Sequence, residues 1–107
     1  MSYNKLVRDK IPEIIKSNGE IPITRILSED EYLLELEKKL QEESQEVLDS
    51  KGKDRIEELA DMFEVMVSLA EVEGQTIDDV INCADEKRKK RGGFKKRIYL
   101  SGVESEK

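Results

Sequence analysis

Between Tyr32 and Val72 the sequence specifies two amphipathic helices whose apolar faces carry acidic groups, and few folds can accept that arrangement. At about 100° per residue, Tyr32, Leu33, Leu36, Leu40 and Val47 form one stripe on the first helix. Glu43 falls near its middle, and Glu42 and Glu46 flank it. The second helix has two apolar faces. Ile56, Leu59, Ala60, Phe63, Val67 and Ala70 make one, while Met62, Val65, Leu69 and Val72 make the other, with Glu58 and Asp61 on it or at its edge. Glu57, Glu64, Ser68 and Glu71 remain for a wet face. Acidic runs are ordinarily solvated helix faces, but this phase predicts half-buried carboxylates instead.

Such carboxylates are costly without a partner, and like charges three or four residues apart on a helix repel. A positive group must offset them. With no His and one Cys in the chain, an imidazole or thiolate site is poorly supplied. An all-oxygen cluster suits a hard cation, Mg²⁺ or Mn²⁺, held by carboxylates, water and substrate phosphates. Two facing helices that each offer acids at i and i+3 can place four carboxylates around one or more ions.

The flanking signals set the expected elements. Ser2 to Arg8 reads as an extended arm or short strand. Asp9 is the expected N-cap of a first short helix, with Pro12 in its first turn, Ile11, Ile14 and Ile15 facing a core, and Asn18-Gly19 as its stop. Ile21 to Leu27, rich in β-branched residues with Pro22 near its start, reads as an edge strand. Ser28 and Glu31 form a capping box that opens a long helix from about Glu29 to Asp49, ended by Lys51-Gly52. The next is expected over about Asp54 to Glu73, closed by Gly74. Thr76 with Asp79 opens another, through Val80, Ile81 and Ala84 to about Arg91, where Gly92-Gly93 breaks it. Phe94 to Leu100 is expected to return as a short strand and Ser101 to Lys107 to fray.

At 107 residues the chain is expected to form one domain spanning 1–107, of a size at which a partner subunit helps. The second long helix is apolar around most of its circumference, so a second copy of the chain is the simplest cover for it. Charged residues at 41% and aromatics at 5% favour helices. A formal charge of −6 argues against a nucleic-acid coat, although Lys87 to Arg97 is strongly basic. A lone Cys83, expected as a small buried hydrophobe, excludes an intrachain disulfide and suits a reducing cytoplasm. No membrane association is expected, there being no long apolar run or signal-like N-terminus. The aromatic side chains, Tyr3, Tyr32, Phe63, Phe94 and Tyr99, are expected to pack rather than to stack on bases.

Glu42-Glu43-Ser44-Gln45-Glu46 followed by Glu58-Leu59-Ala60-Asp61 resembles the EExxE and ExxD signature of the all-α nucleotide pyrophosphohydrolases, the MazG-like family and its phosphoribosyl-ATP pyrophosphohydrolase-like relatives. The opening Tyr3-Asn4-Lys5-Leu6-Val7-Arg8-Asp9-Lys10-Ile11-Pro12 and the closing Lys90-Arg91-Gly92-Gly93-Phe94 are similar to one small single-domain branch of that family. The likeness spans nearly the whole chain, and the two half-motifs together are far more specific than either alone. It implies a mainly α fold, a helical bundle with short extended N- and C-terminal segments completed by dimerisation or higher homo-oligomerisation. It also implies Mg²⁺-dependent cleavage of a nucleoside triphosphate between the α- and β-phosphates, with Mn²⁺ as a substitute, giving a monophosphate and pyrophosphate. By motif position the metal ligands are Glu43, Glu46, Glu58 and Asp61. Glu42 is a further ligand or the group that orients or deprotonates the attacking water.

The basic segment suits a phosphate clamp: Lys87, Lys90 and Arg91 lie near the C-terminal end of their helix, and Arg favours bidentate contact. The resemblance adds Asn82 on the same helix, and Arg8 and Lys10 are further phosphate candidates. The family reading places the chain in nucleotide-pool house-cleaning, with phosphoribosyl-ATP hydrolysis in histidine synthesis as the alternative. Two rivals come from other classes. One is a non-catalytic helical interaction module, which predicts no metal-dependent stabilisation; the other is a nucleic-acid binder using Lys87 to Arg97, which predicts salt-sensitive association.

Overall fold

A computed structural model describes residues 4–105 and contains four helices: α1 (Ile11–Ser17), α2 (Glu29–Asp49), α3 (Gly52–Val72) and α4 (Ile77–Arg91). Among the described residues there is no strand, and the fold is mainly α. The chain divides into two compact units, the first ending at Ile77 and the second beginning at Asp78.

In the first unit, α2 starts where the capping signal sits. Ser28 Oγ accepts from the Glu31 backbone N–H at 3.3 Å, and Glu31 Oε1 accepts from the Ser28 N–H at 3.2 Å. Arg25 grips the same carboxylate through both terminal nitrogens, at 3.2 and 2.9 Å. With Arg25 and the Ser28 N–H on it, Glu31 is held down at about 2, well below its ordinary 4.5.

Two residues, Ser50 and Lys51, connect α2 to α3. The turn is tied by side chains: Ser50 Oγ donates to the Glu46 carbonyl at 2.6 Å, and Arg55 Nε donates to the carbonyls of Val47 and Ser50 at 3.1 and 2.8 Å. So short a link forces the helices antiparallel and side by side, and they pack along their length. Leu36 on α2 and Val65 and Ala70 on α3 are the buried residues of this hairpin. Along α3 the Met62, Val65 and Leu69 face is half-buried or buried, and Ala70 joins it from the other face near the end of the helix. The rest of that other face, from Ile56 to Phe63, stays uncovered, with Ile56 66% and Phe63 44% exposed.

Several expectations are corrected. Lys10, not Asp9, caps α1, without a side-chain bond; the Ile11 N–H donates to the Arg8 carbonyl, so the first turn closes one residue later. Within α1, Ile11 and Ile15 are half-buried but Ile14 is exposed. Gly52 opens α3 rather than serving only as a stop. The arm is irregular over 4–8, and Ser2 and Tyr3 lie outside the described residues. Ile21 to Leu27 is not a strand: it is irregular, with Ile21, Ile23 and Ile26 almost fully exposed. The alternation is real, but a strand needs a neighbour for its backbone N–H and C=O groups, and no second strand exists among the described residues.

In the second unit, α4 carries Asp78 and Asp79 in its first turn and Arg88 to Arg91 in its last, the arrangement favoured by the helix dipole. Gly92, at φ +79°, takes the chain out of the helix in a conformation that L side chains rarely adopt. Phe94 to Leu100 is also not a strand. The Arg97 N–H donates to the Phe94 carbonyl at 3.0 Å and Arg97 has φ +57°, so the segment turns where a strand would extend. Phe94 and Tyr99 are exposed rather than packed, and Cys83 is exposed rather than buried. Val80 and Ile81 beside it are also uncovered, so α4 has no closed apolar face to receive a thiol. Residues 101–105 are irregular, as expected of the tail; Glu106 and Lys107 lie outside the described residues. No helix among the described residues is long and apolar enough to cross a membrane.

Replacing Leu36, only 3% exposed at the centre of the hairpin, with Ala should lower unfolding free energy by about 3 kcal/mol. Leu34→Ala, on the exposed side of the same helix, should change it by less than about 0.5 kcal/mol. Urea denaturation of the two variants followed by circular dichroism measures the contrast.

Candidate metal centre

The two-residue connection sets which residues of α2 and α3 lie level with one another. Glu43 and Glu58 are equally distant, in residues, from the Ser50–Lys51 link, roughly 11 Å up each helix at 1.5 Å per residue. Leu36 and Val65 are level with one another as well, one heptad further from the link. The acidic layer therefore rests next to the apolar layer, and the same helical phase aims both into the gap.

There Glu43, Glu58 and Asp61 each bring one carboxylate oxygen within 4.8 Å of the others, and all three side chains are half-buried. Oε2 of Glu43 and Oε2 of Glu58 are shielded from solvent with no hydrogen-bond donor on either. Glu46 is exposed at the rim, and its carboxylate acts on both electrostatically. Glu42 is exposed and outside this triad.

The electrostatics register the crowding. The Glu46 carboxylate, then desolvation, then the charges of Asp61 and Glu43 push Glu58 up to about 7 from its ordinary 4.5. Glu43 is also raised, first by burial and then by Glu46 and Asp61, with Lys39 opposing. Asp61 has a cation on it: Arg8 Nη2 donates to Asp61 Oδ1 at 2.7 Å. Beside Asp61 an open groove of about 830 Å³ runs along α3, lined by Arg8, Leu59, Ala60 and Phe63 and edged by Glu57 and Glu64.

These features fit a hard divalent cation. The donors are all carboxylate oxygens, they converge from two helices, and two of the oxygens are buried without a donor. Of the residues singled out in the sequence, three of the four metal candidates converge, and Glu46 borders them. Arg8 reaches the same place from the opening segment, a contact across 53 residues that helical phase does not reveal. Lys10 is exposed at the cap of α1, and Asn82, Lys87, Lys90 and Arg91 are exposed on α4 in the second unit.

No protein-family model matches the chain, and no solved structure matches it. The chain is similar to an uncharacterised protein of Mycolicibacterium smegmatis (strain ATCC 700084 / mc(2)155), with 51% identity over 43 residues. That match covers 40% of this chain and 44% of the relative, so the chain spans less than half the length of the protein it matches.

A carboxyl raised above its unfolded value adds stability when protonated and loses it as pH rises through the folded value. For Glu58 the loss falls between about 4.5 and about 7. The metal-free protein should therefore melt lower at pH 8 than at pH 5.5. Glu58→Gln should flatten that slope and raise the pH 8 melting temperature. The Arg25–Glu31 pair does not produce this slope, because the lowered Glu31 loses its contribution only below about 4.5. Scanning calorimetry across this range, with divalent cations chelated, measures both effects.

Proposed function

We propose that this chain is a divalent-cation-dependent nucleotide pyrophosphohydrolase that cleaves a nucleoside triphosphate between its α- and β-phosphates. The observation that carries the reading is the convergence of Glu43, Glu58 and Asp61, two of them with buried oxygens that lack a donor, at the positions of the EExxE and ExxD motifs. In this reading the ion is Mg²⁺, with Mn²⁺ as a substitute, because hard cations favour carboxylate oxygens.

Glu43, Glu58 and Asp61, with Glu46 at the rim, would hold the ion, and when bound it would supply charge neutralisation for the polyphosphate and a lowered pKa for a water. Glu42, exposed one position before Glu43, receives the proton of the attacking water as general base or orients that water. The water oxygen bonds to phosphorus as the α–β bridging P–O bond breaks, and pyrophosphate leaves with the bond's electron pair. No covalent enzyme intermediate is needed. On charge, Lys87, Lys90 and Arg91 suit a triphosphate, and the resemblance adds Asn82 on the same helix. The reading places the chain in the cytoplasm, clearing unwanted nucleotides from the pool, with phosphoribosyl-ATP as the alternative substrate.

The reading includes a homodimer. The uncovered part of the α3 face presents Ile56, Leu59 and Phe63 to solvent, and a run of large apolar side chains on one helix face is what an interaction surface offers. A second copy seated there would also wall the open groove that Leu59 and Phe63 line beside Asp61.

Release of pyrophosphate from a panel of standard and modified (deoxy)nucleoside triphosphates, with and without Mg²⁺ or Mn²⁺, tests the activity. Glu43→Gln should lower the rate by at least about a hundredfold while keeping the helical circular dichroism spectrum. Metal-independent release, or full activity in Glu43→Gln, would rule the mechanism out. Light scattering at micromolar concentration should give about twice the chain mass; a monomer would remove the second copy from the proposal.

A further inference from the structure

Asp61 differs from its neighbours in the acidic layer because a cation already sits on it. The Arg8 guanidinium lies 2.7 Å from Asp61 Oδ1, whereas among the described residues neither Glu43 nor Glu58 has an ion-pair partner. Both ends of the pair are open to water, the Arg8 side chain 57% and the Asp61 side chain 45% exposed. It is not a buried bridge, and it can open without stripping water from either charge. Arg8 belongs to the irregular segment ahead of α1, and its side chain also lines the open groove beside the triad.

We propose that Arg8 is an internal counter-cation that makes cation binding at the triad depend on a bound polyphosphate. The inference rests on the metal-site reading above and concerns the regulation of that same site. A guanidinium keeps its proton at any working pH, so its charge leaves Asp61 only if the side chain moves. A divalent ion held by three oxygens that lie within 4.8 Å of one another must sit within a few ångströms of that guanidinium. The two cations repel, and they compete for the oxygens of Asp61. Metal alone therefore binds against the charge of Arg8.

A polyphosphate reverses the sign of this effect. Its oxygens can lie between the two cations, accepting from the guanidinium fork on one side and neutralising the divalent ion on the other. Arg8 is the cation in the lining of the groove beside Asp61, whose other charged residues are Glu57 and Glu64. One side chain thus penalises the metal without substrate and favours the metal with it. Linkage makes the coupling reciprocal: whatever factor the polyphosphate gains from the metal, the metal gains from the polyphosphate. A merely structural Arg8, tethering the opening segment to α3, would affect stability and leave metal affinity unchanged.

The test is Mn²⁺ binding to the full chain by electron paramagnetic resonance, with and without inorganic tripolyphosphate, in the unaltered protein, Arg8→Gln, Arg8→Lys and Glu58→Gln. Arg8→Gln should bind Mn²⁺ alone about tenfold more tightly, and the enhancement by tripolyphosphate should shrink by a similar factor, within the usual range of site-to-site coupling. Arg8→Lys, which keeps the charge, should stay close to the unaltered protein for Mn²⁺ alone. If Arg8→Gln binds Mn²⁺ no more tightly than the unaltered protein, while Glu58→Gln abolishes binding, the proposal fails and the metal-site reading stands. Equal tightening in Arg8→Lys and Arg8→Gln would refute the charge argument. No Mn²⁺ binding in the unaltered protein under either condition overturns both readings.

Discussion

The antiparallel pairing of α2 and α3 through a two-residue link is the constraint on which the rest of the first unit depends. Ser50 and Arg55 tie that link to the last turn of α2, so the two helices have little freedom to slide. Leu36 and Val65 then fall level with one another, and so do Glu43 and Glu58 one heptad closer to the link. A single register thus builds an apolar layer and an acidic layer from the same pair of helices. The apolar layer is small, and the acidic layer works against it, so the hairpin brings carboxylates together at a cost to its own stability.

Two carboxylates of the hairpin, one on each helix, show how strongly surroundings decide such a cost. Glu31 stands at the start of the helix with Arg25 on both oxygens and backbone N–H groups nearby, and it is held down at about 2. Glu58, across the hairpin, meets Glu46, Glu43 and Asp61 and is pushed up to about 7. Neither shift follows from residue type. A carboxylate already satisfied by Arg25 has little to offer an ion, whereas one surrounded by other carboxylates gains from any added positive charge.

Much of this was legible in the sequence because it is local or periodic. The Ser28–Glu31 capping box sets the start of α2, and Gly74 and Gly92 mark where α3 and α4 have ended. The 3.6-residue period placed Glu43, Glu58 and Asp61 toward the gap between helices, and there they meet. What the sequence hid is non-local. The alternation of Ile21 to Leu27 and of Phe94 to Leu100 describes a surface that could pair, but not whether a pairing partner exists. Cys83 and Phe94 are apolar side chains without a layer to join. Arg8 meets Asp61 from 53 residues away, and neither residue's neighbours in sequence announce the other.

The Ser50–Lys51 connection also acts as a ruler for the chain's tolerance of length change. One residue added inside α3 ahead of Glu58 would turn everything beyond it by about 100° relative to the link. Glu58 and Asp61 would leave the gap together with Val65, and the acidic and apolar layers would be lost at once. The irregular stretch between α1 and α2, which bears no ladder and ends at a self-sufficient cap, can absorb added residues by bulging into solvent. Related chains that keep this arrangement should therefore differ in length ahead of Ser28 and keep a constant spacing between Glu43 and Glu58.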